Sequence, residues 1–207
     1  AGKQAVRMIA DEEAGVKKGA TIMTDGTLVT KSGAAYANSE LALAGGKYDT
    51  FRMLTHPNTA IIPAALVAAE ASGASGKAYL AGVVAGYEVM ERMAAEFIPT
   101  TMSRGFHPGP VFGIFGAAVA AAKTMGYSED QVNSTIALCA SLASGNLEAA
   151  RGGGMPLREG AATRNAMLAV ALAQPGHVGG ESVLEGEAGF YHAYTGNNRG
   201  VLTYSFA

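Results

Sequence analysis

Two His–Pro pairs, each directly before an alanine-rich apolar segment, are the feature that most constrains the fold of this chain. His56 lies in THPNTAIIPAALVAAE, and His107 lies in SRGFHPGPVFGIFGAAVAAA. Proline disfavours a helical conformation in the residue before it and is accepted in the first turn of a helix. Both segments are therefore predicted to be helices, and both imidazoles are predicted to lie just ahead of a helix N-terminus.

The predicted surroundings of these two imidazoles suit an anionic ligand. The first N–H groups of a helix have no partner within the helix, and the helix dipole attracts negative charge to this end. Histidine also titrates near neutral pH, so it can accept or give up a proton. If both rings converge on one water-accessible cavity within about 10 Å of each other, they can share a small carboxylate substrate. The alternative is that both histidines are ordinary residues of helix-capping regions.

Composition indicates a chain that can bury a large core. The 207 residues are 49% hydrophobic and 15% charged, with a net charge of −2. The charged fraction is low against about 25% in typical soluble domains, which suggests a surface covered by a partner subunit, a second domain or a missing part of the chain. The small net charge and the scattered cations disfavour nucleic acid or an anionic membrane as the main partner.

The single cysteine and the N-terminal sequence bear on location. Cys139 lies in the apolar run STIALCASLA, where a buried core residue is expected rather than a nucleophile. A lone thiol favours a reducing cytoplasm. The first residues lack the apolar region of a signal peptide, and residues 105–122 contain two prolines and a histidine, so no membrane span is expected. The sequence therefore predicts a soluble, cytoplasmic protein.

Periodicity predicts a mainly α fold with one short β-hairpin near the N-terminus. The hairpin is ATIMTDGTLVT, with Asp25 and Gly26 at its turn. Helices are predicted at residues 2–11, 32–45, 59–72, 76–97, 110–125, 128–143 and 159–174. The glycine-rich stretch 144–158 is predicted to be a functional or mobile loop, and the tail is predicted to lack a closing element.

Glycines spaced four apart indicate close helix packing. Gly82 and Gly86 share one helix face, and Gly109 and Gly113 share another. In a soluble bundle, small residues on one face let two helices approach closely.

Several common catalytic motifs are missing from the sequence. It has no Cys/His metal spacing, no HExxH, no GxSxG and no complete phosphate-binding loop. Polar residues in loops beside apolar helices remain as candidates for acid–base and carboxylate-binding chemistry. These candidates are Asp49, Thr50, Arg52, His56, Arg104, His107, Arg151, Arg158 and His192. Each of them could also be a turn-capping or solvated residue.

Longer stretches resemble the MmgE/PrpD family, which includes 2-methylcitrate dehydratase, cis-aconitate decarboxylase and iminodisuccinate epimerase. The resemblance covers nearly the whole chain and includes YDTFRMLTHPNTAIIPAALVAAEASGASG, RGFHPGPVFGIFGAAVAAAKTMGYSEDQ and MPLREGAATRNAMLAVALA. It implies a single helical domain over residues 1–207, with the family's lid domain absent from this chain. It also implies an enzyme that acts on small di- or tricarboxylates without metal or cofactor, usually as a homodimer.

The resemblance assigns roles to particular residues. His56 matches the histidine of the family's HPS-type motif, and His107 matches that of its RGFHP motif; both are active-site residues in the family. Thr50 matches the threonine that closes the family's DxDDT stretch, and Asp49 matches the aspartate before it. His56, His107 and Asp49 are thus the predicted acid–base residues.

Three residues are predicted to orient the carboxylates of the substrate: Thr50, Arg104 and Arg158. Arginine binds a carboxylate through two N–H groups but gives up no proton.

The chain also departs from the family pattern. The first aspartate of the DxDDT stretch corresponds to Gly46, and the lysine of the family's KPLH-type motif corresponds to Met155. The histidine of the same motif corresponds to Arg158. The leading prediction is a lyase for a small polycarboxylate, either a dehydratase or a decarboxylase. The alternatives are a non-catalytic or split-enzyme subunit that keeps the helical scaffold, and an epimerase in which two bases exchange one proton.

Overall fold

The computed structural model describes residues 21–22, 28–151 and 154–197, with side chains from residue 30 onward. The described part of the chain is mainly helical, as predicted. Its α-helices are α1 (Lys31–Ala44), α2 (Pro57–Ser72), α3 (Gly76–Ala94), α4 (Ile98–Ser103), α5 (Pro108–Thr124), α6 (Glu129–Leu142), α7 (Gly154–Ala173) and α8 (Phe190–Thr195). A short 3₁₀ helix covers Glu148–Arg151.

The described residues contain one short pair of strands and two isolated β-bridges, Phe51 with Thr55 and Phe106 with Asn146. Strands β1 (Thr21–Ile22) and β2 (Leu28–Val29) pair antiparallel, with Thr21 opposite Val29. The turn residues Asp25 and Gly26 lie outside the described residues, as does the helix predicted at 2–11. The hairpin as predicted is therefore not established beyond this two-residue pairing.

Proline fixes the start of the two central helices. Pro57 and Pro108 are the first residues of α2 and α5, and His56 and His107 are their N-caps. Both helices begin two residues before the predicted starts at 59 and 110. The reason is that proline at the first helical position loses no hydrogen bond, and its fixed φ suits the helix.

Helix α5 is the centre of the domain. Lys123 is its one residue that is not buried, and α2, α3, α6 and α7 pack around it. The glycine prediction for α3 is confirmed, because a Cβ on Gly86 would lie 2.6 Å from the carbonyl oxygen of Gly116, and one on Gly82 would lie 2.6 Å from that of Ala120. The axes of α3 and α5 can approach this closely only without those side chains.

The prediction of a loop at 144–158 is wrong from residue 154 onward. Helix α7 begins at Gly154 rather than at residue 159, so Met155 and Pro156 lie in its first turn. A proline there removes an N–H that has no helical partner anyway, and the sequence Met-Pro therefore does not break the helix. Segment 145–147 instead pairs with 105–107, through His107 N–H to Gly145 and Leu147 N–H to Gly105.

Two short helices were not predicted. The single helix predicted for 76–97 ends at Ala94. After a break at residues 95–97, the separate helix α4 follows. Helix α8 lies in the tail for which no closing element was predicted, and it buries Phe190 and Tyr191 against the core. Both helices have six residues, which is too short for a periodic pattern to be visible in the sequence.

Two other predictions can be checked in the described residues. Cys139 is fully buried among apolar side chains, as expected of a core residue, and burial raises the pKa of its thiol. Among the helices that the structure describes, none combines the length and the apolar composition that crossing a membrane requires.

Candidate functional site

The two histidines lie next to each other. Their ring centroids are 6.4 Å apart, within the predicted 10 Å, because α2 and α5 pack side by side with their N-termini at the same end. His56 is 6% exposed and His107 is 1% exposed. The rings therefore converge as predicted, and both are almost fully buried among the described residues. The described surface cavities of about 690 and 440 Å³ are lined by other residues.

The neighbours of His56 assign its tautomer. Its Nδ1 lies 2.9 Å from the carbonyl oxygen of Asp49 and 3.2 Å from the hydroxyl oxygen of Thr50. A carbonyl oxygen can only accept, so Nδ1 carries the proton and donates it. The Nε2 of neutral His56 then has a free lone pair. The Tyr48 ring packs against this imidazole, with ring centroids 4.4 Å apart.

The neighbours of His107 assign the opposite tautomer. The backbone N–H of Gly109 donates to Nδ1 at 3.1 Å, so Nδ1 carries the lone pair and Nε2 carries the proton. Burial, together with the positive charge of Arg158 and the neighbouring His56, lowers the pKa of His107 to about 3. His107 is therefore a neutral imidazole at physiological pH, with an N–H at Nε2.

Arg158 is a buried cation beside this pair. It is 8% exposed, and its Nη1 donates to the carbonyl oxygen of Asn146 at 3.0 Å. Its Nε and Nη2 have no hydrogen-bond partner in the described part of the chain. Burial lowers its pKa, and the adjacent Glu159 opposes that shift, yet guanidinium stays charged in proteins. Two unsatisfied donors on a desolvated cation favour an anionic oxygen ligand.

Glu159 is a buried acid that the sequence reasoning missed. It is 1% exposed, and its Oε1 lies 3.8 Å from Nδ1 of His107. The Thr59 hydroxyl donates chiefly to the His56 carbonyl oxygen at 2.7 Å and makes only a weak bond to Oε2 at 3.5 Å. Burial raises its pKa to about 8, with Arg158 and the Thr59 bond opposing the shift. The signal was present, because Glu159 precedes Thr163, Ala166 and Val170 on the buried face of α7 at helical spacing. This pattern was missed because the helix was predicted to start at residue 159, which made Glu159 a terminal residue rather than one of the buried face.

Asp49 reaches His56 through its backbone, not its carboxylate. Oδ1 of Asp49 accepts from the N–H of Asn58 at 3.1 Å, and Oδ2 accepts from the Tyr87 hydroxyl at 2.5 Å. The carboxylate thus caps the first turn of α2. Thr50 contacts Nδ1 of His56 through its hydroxyl. These two residues meet His56 as predicted, but the carboxylate of Asp49 is engaged elsewhere.

Arg104 lies apart from this cluster. It is exposed at the end of α4, and its guanidinium donates to the carbonyl oxygen of Ala193 in α8 at 3.0 and 3.3 Å. The structure therefore pairs it with the C-terminal helix. Gly46, at the position of the family's first aspartate, is exposed with a φ of 67°, and Met155 is half-buried in α7.

The described residues contain no group of three His, Cys, Asp or Glu side chains that could hold a metal ion. What the arrangement offers chemically is a lone pair on His56 Nε2, a proton on His107 Nε2 and a cation with two unused donors. These are the components for moving a proton beside a carboxylate.

Comparisons with known proteins identify a family and several relatives of this chain. A family model described as the MmgE/PrpD N-terminal domain matches residues 1–201. A cis-aconitate decarboxylase-like protein from Aspergillus oryzae is 35% identical over 156 residues, covering 70% of this chain and 32% of that protein. Human cis-aconitate decarboxylase is 34% identical over 161 residues, covering 74% of this chain and 33% of that protein. The matched segment thus spans about a third of the length of these relatives.

Proposed function

We propose, on the premise that this chain belongs to the MmgE/PrpD family, that it carries the histidine pair of a lyase that acts on a small di- or tricarboxylate. The observation that supports this most strongly is the pairing of opposite tautomers: His56 offers a lone pair at Nε2, and His107 offers a proton at Nε2, 6.4 Å between ring centres.

In the proposed chemistry the two rings have different roles. His56 Nε2 is the general base, and His107 Nε2–H is the general acid or hydrogen-bond donor. In a dehydration, His56 takes the proton next to a carboxylate, and the leaving hydroxide departs as water with the proton from His107. In a decarboxylation, the C–C bond breaks, its electron pair stays on the carbon as CO₂ leaves, and His107 protonates that carbon.

Arg158 is the proposed carboxylate-binding residue. Its unpartnered Nε and Nη2 can form the paired hydrogen bonds by which guanidinium holds a carboxylate. Thr50 and Asp49 are proposed to fix the orientation of His56 through their bonds to Nδ1, and the Asp49 carboxylate takes no part in proton transfer. Arg104 has no role in the proposed site, because it is engaged with α8.

Substrate must reach rings that are buried in the described structure. Tyr48, 43% exposed and packed on the His56 ring, is the solvent-facing neighbour of the pair. We propose that displacement of Tyr48 and its exposed loop opens the way to the imidazoles. Substituting Tyr48 by Ala should then speed carboxylate association in stopped-flow measurements, and a slower association would contradict this route.

Cis-aconitate is the substrate to test first, because the relatives that match are named for its decarboxylation. Since the chain matches only about a third of those relatives, we propose that any remaining pocket residues come from outside the described residues. We further propose a cytoplasmic homodimer of helical domains that works without metal or cofactor. Dialysis against a chelator should leave turnover unchanged, and a loss restored by a metal would contradict that part.

A non-catalytic or split-enzyme subunit is the second candidate. The observation that favours it is the half-buried Met155, at the position that resembles the family's lysine, where an apolar thioether replaces a cation. A partner chain would then have to supply the missing cation.

Proton NMR in D₂O tests the proposed function directly. The full chain is incubated with cis-aconitate and with citrate-like and succinate-like acids. CO₂ loss, alkene formation or deuterium entering an α-carbon separates a decarboxylase, a dehydratase and an epimerase. We expect one acid to be consumed, and His107→Gln to slow this by about 10²-fold or more, with His192→Gln as the control. If none of these acids is consumed, catalysis by this chain alone is contradicted and the split enzyme is favoured.

A further inference from the structure

The proposed acid, His107, cannot give up its proton alone. A neutral imidazole that loses its Nε2 proton becomes an imidazolate, which is far too basic to form at neutral pH. The proton can leave only if another arrives at Nδ1 in the same step. Burial also keeps His107 from storing a second proton beforehand, since its pKa is about 3. A proton source next to Nδ1 is therefore required.

In the part of the chain that the structure describes, two groups lie next to Nδ1 of His107. One is the backbone N–H of Gly109 at 3.1 Å, which is a donor but not an acid. The other is the Glu159 carboxyl, whose Oε1 lies 3.8 Å from Nδ1. Glu159 is 1% exposed, and its Oε1 has no hydrogen-bond partner among the described residues. A buried polar atom without a partner is costly, which indicates a role beyond packing.

Gly109 keeps the space between these two groups open. A Cβ at position 109 would lie 2.6 Å from Oε1 of Glu159 and 2.9 Å from Nδ1 of His107. Any other residue here would separate the carboxyl from the ring. The carboxyl can close the remaining distance of about 1 Å to hydrogen-bond length only because residue 109 is glycine.

We propose that Glu159 acts through His107 as a proton relay, giving its proton to Nδ1 as the Nε2 proton passes to the substrate. This inference rests on the proposed function in that His107 is the acid. The O–H bond of Glu159 and the Nε2–H bond break, while the Nδ1–H bond and the new bond to the substrate form. His107 stays neutral, and Glu159 becomes a carboxylate beside Arg158. Nδ1 gives up the Gly109 hydrogen bond in this step, and solvent later reprotonates Glu159.

The charges around Glu159 suit this exchange. Arg158, the preceding residue of α7, stabilises the carboxylate that the relay leaves behind. The helices packed against α7 present His107 from α5 and His56 and Thr59 from the start of α2. Their other buried titratable groups are Tyr36 and Glu40 of α1 and Cys139 of α6. Burial raises the pKa of Glu159 to about 8, so its proton is in place at neutral pH.

The relay is tested without turnover by nitrogen NMR of histidine-labelled full chain between pH 6 and 10. As Glu159 ionises, its carboxylate repels the Nδ1 lone pair, and His107 should change from the Nε2–H to the Nδ1–H tautomer. Glu159→Gln should keep the Nε2–H tautomer throughout, and so should Gly109→Ala, whose methyl group separates the pair. Glu40→Gln, which alters another buried carboxyl, should behave like the parent chain.

A His107 tautomer that does not change with pH in the parent chain, or that changes equally in Glu159→Gln, would overturn the inference. Where the D₂O panel gives turnover, Glu159→Gln should lower kcat by about 10²-fold with KM unchanged, and its pH profile should lose the decline above pH 8. An unchanged kcat would also overturn the relay. Tautomer coupling in a chain that turns over no acid would count against the proposed function and not against the coupling.

Discussion

A histidine ring is defined chemically by what its two nitrogens touch. His56 and His107 occupy the same position, directly before a proline at the start of a helix. One donates Nδ1–H to a carbonyl of the preceding loop, and the other accepts at Nδ1 from the N–H of Gly109 in its own helix. The same local motif thus yields opposite tautomers, because the nearest backbone group differs.

Arg158 gives a prediction at this scale. Arg158→Gln should weaken binding of a tricarboxylate by about 10- to 100-fold, because a hydrogen bond to a charged group contributes about 1.5–3 kcal/mol. The free energy of unfolding without ligand should fall by only about 1 kcal/mol, since the Nη1 hydrogen bond to the Asn146 carbonyl is lost while Nε and Nη2 have no described partners. Calorimetric titration measures the first quantity and urea unfolding the second. Arg104→Gln is the control, and equal losses in both variants would contradict the assignment.

Asp49 gives a second prediction for a single residue. Asp49→Ala should lower the free energy of unfolding by about 1–2 kcal/mol, because it removes the acceptor for the Asn58 N–H at the start of α2. Turnover should change by less than about threefold, since the backbone carbonyl of residue 49, which holds His56, is kept in the variant. Asp49→Asn keeps an acceptor oxygen and should retain most of the stability. A large loss of kcat in Asp49→Asn would instead show that the Asp49 carboxylate takes part in proton transfer.

At the scale of single elements, helix starts marked by proline and long apolar repeats could be predicted from the sequence. Helices α2, α3, α5 and α6 begin within two residues of their predicted starts. The start of α7 could not be predicted, because glycine and proline are usually read as loop residues, although proline is accepted in the first helical turn. The hydrogen-bond partners of each imidazole could not be predicted from the sequence either, because they are backbone atoms whose positions depend on loop conformation.

The contact between α3 and α5 allows a test of element packing. Gly86→Ala should lower the free energy of unfolding by about 1–3 kcal/mol, because its Cβ would lie 2.6 Å from the Gly116 carbonyl oxygen and 2.8 Å from the Ala120 Cβ. Gly76→Ala, in the same helix, has no described atom within 4 Å of the added Cβ and should be neutral or slightly stabilising. Urea unfolding of both variants measures the difference. Equal effects would show that the two helices are not in close contact.

At the scale of the whole molecule, buried titratable groups should set the pH of greatest stability. The pKa of His107 falls from 6.5 unfolded to about 3 folded, so the unfolded chain takes up a proton that the folded chain does not, and stability is lost as pH falls below 6.5. The pKa values of Glu159 and Glu91 rise from 4.5 to about 8, so stability is lost as pH rises from 4.5 to 8.

The free energy of unfolding should therefore be greatest near pH 4.5, because between pH 4.5 and 6.5 the two carboxyls lose more stability than His107 gains. Urea unfolding followed by circular dichroism from pH 3.5 to 8.5 measures it, and Glu159→Gln should flatten the alkaline side. A maximum above pH 7 would show that these groups are not buried in their assigned protonation states.

The central proposal is that two imidazoles of opposite tautomer act on one bound substrate whose carboxylate is held by Arg158. Long-range proton–nitrogen correlation NMR of the histidine-labelled chain, with and without cis-aconitate at pH 7, tests it most directly. We expect Nδ1–H for His56, Nε2–H for His107, and ligand-induced shifts of both Nε2 signals that are lost in Arg158→Gln, with the signals of His177 and His192 unchanged. Identical tautomers in the two rings, or shifts confined to His177 and His192, would contradict it.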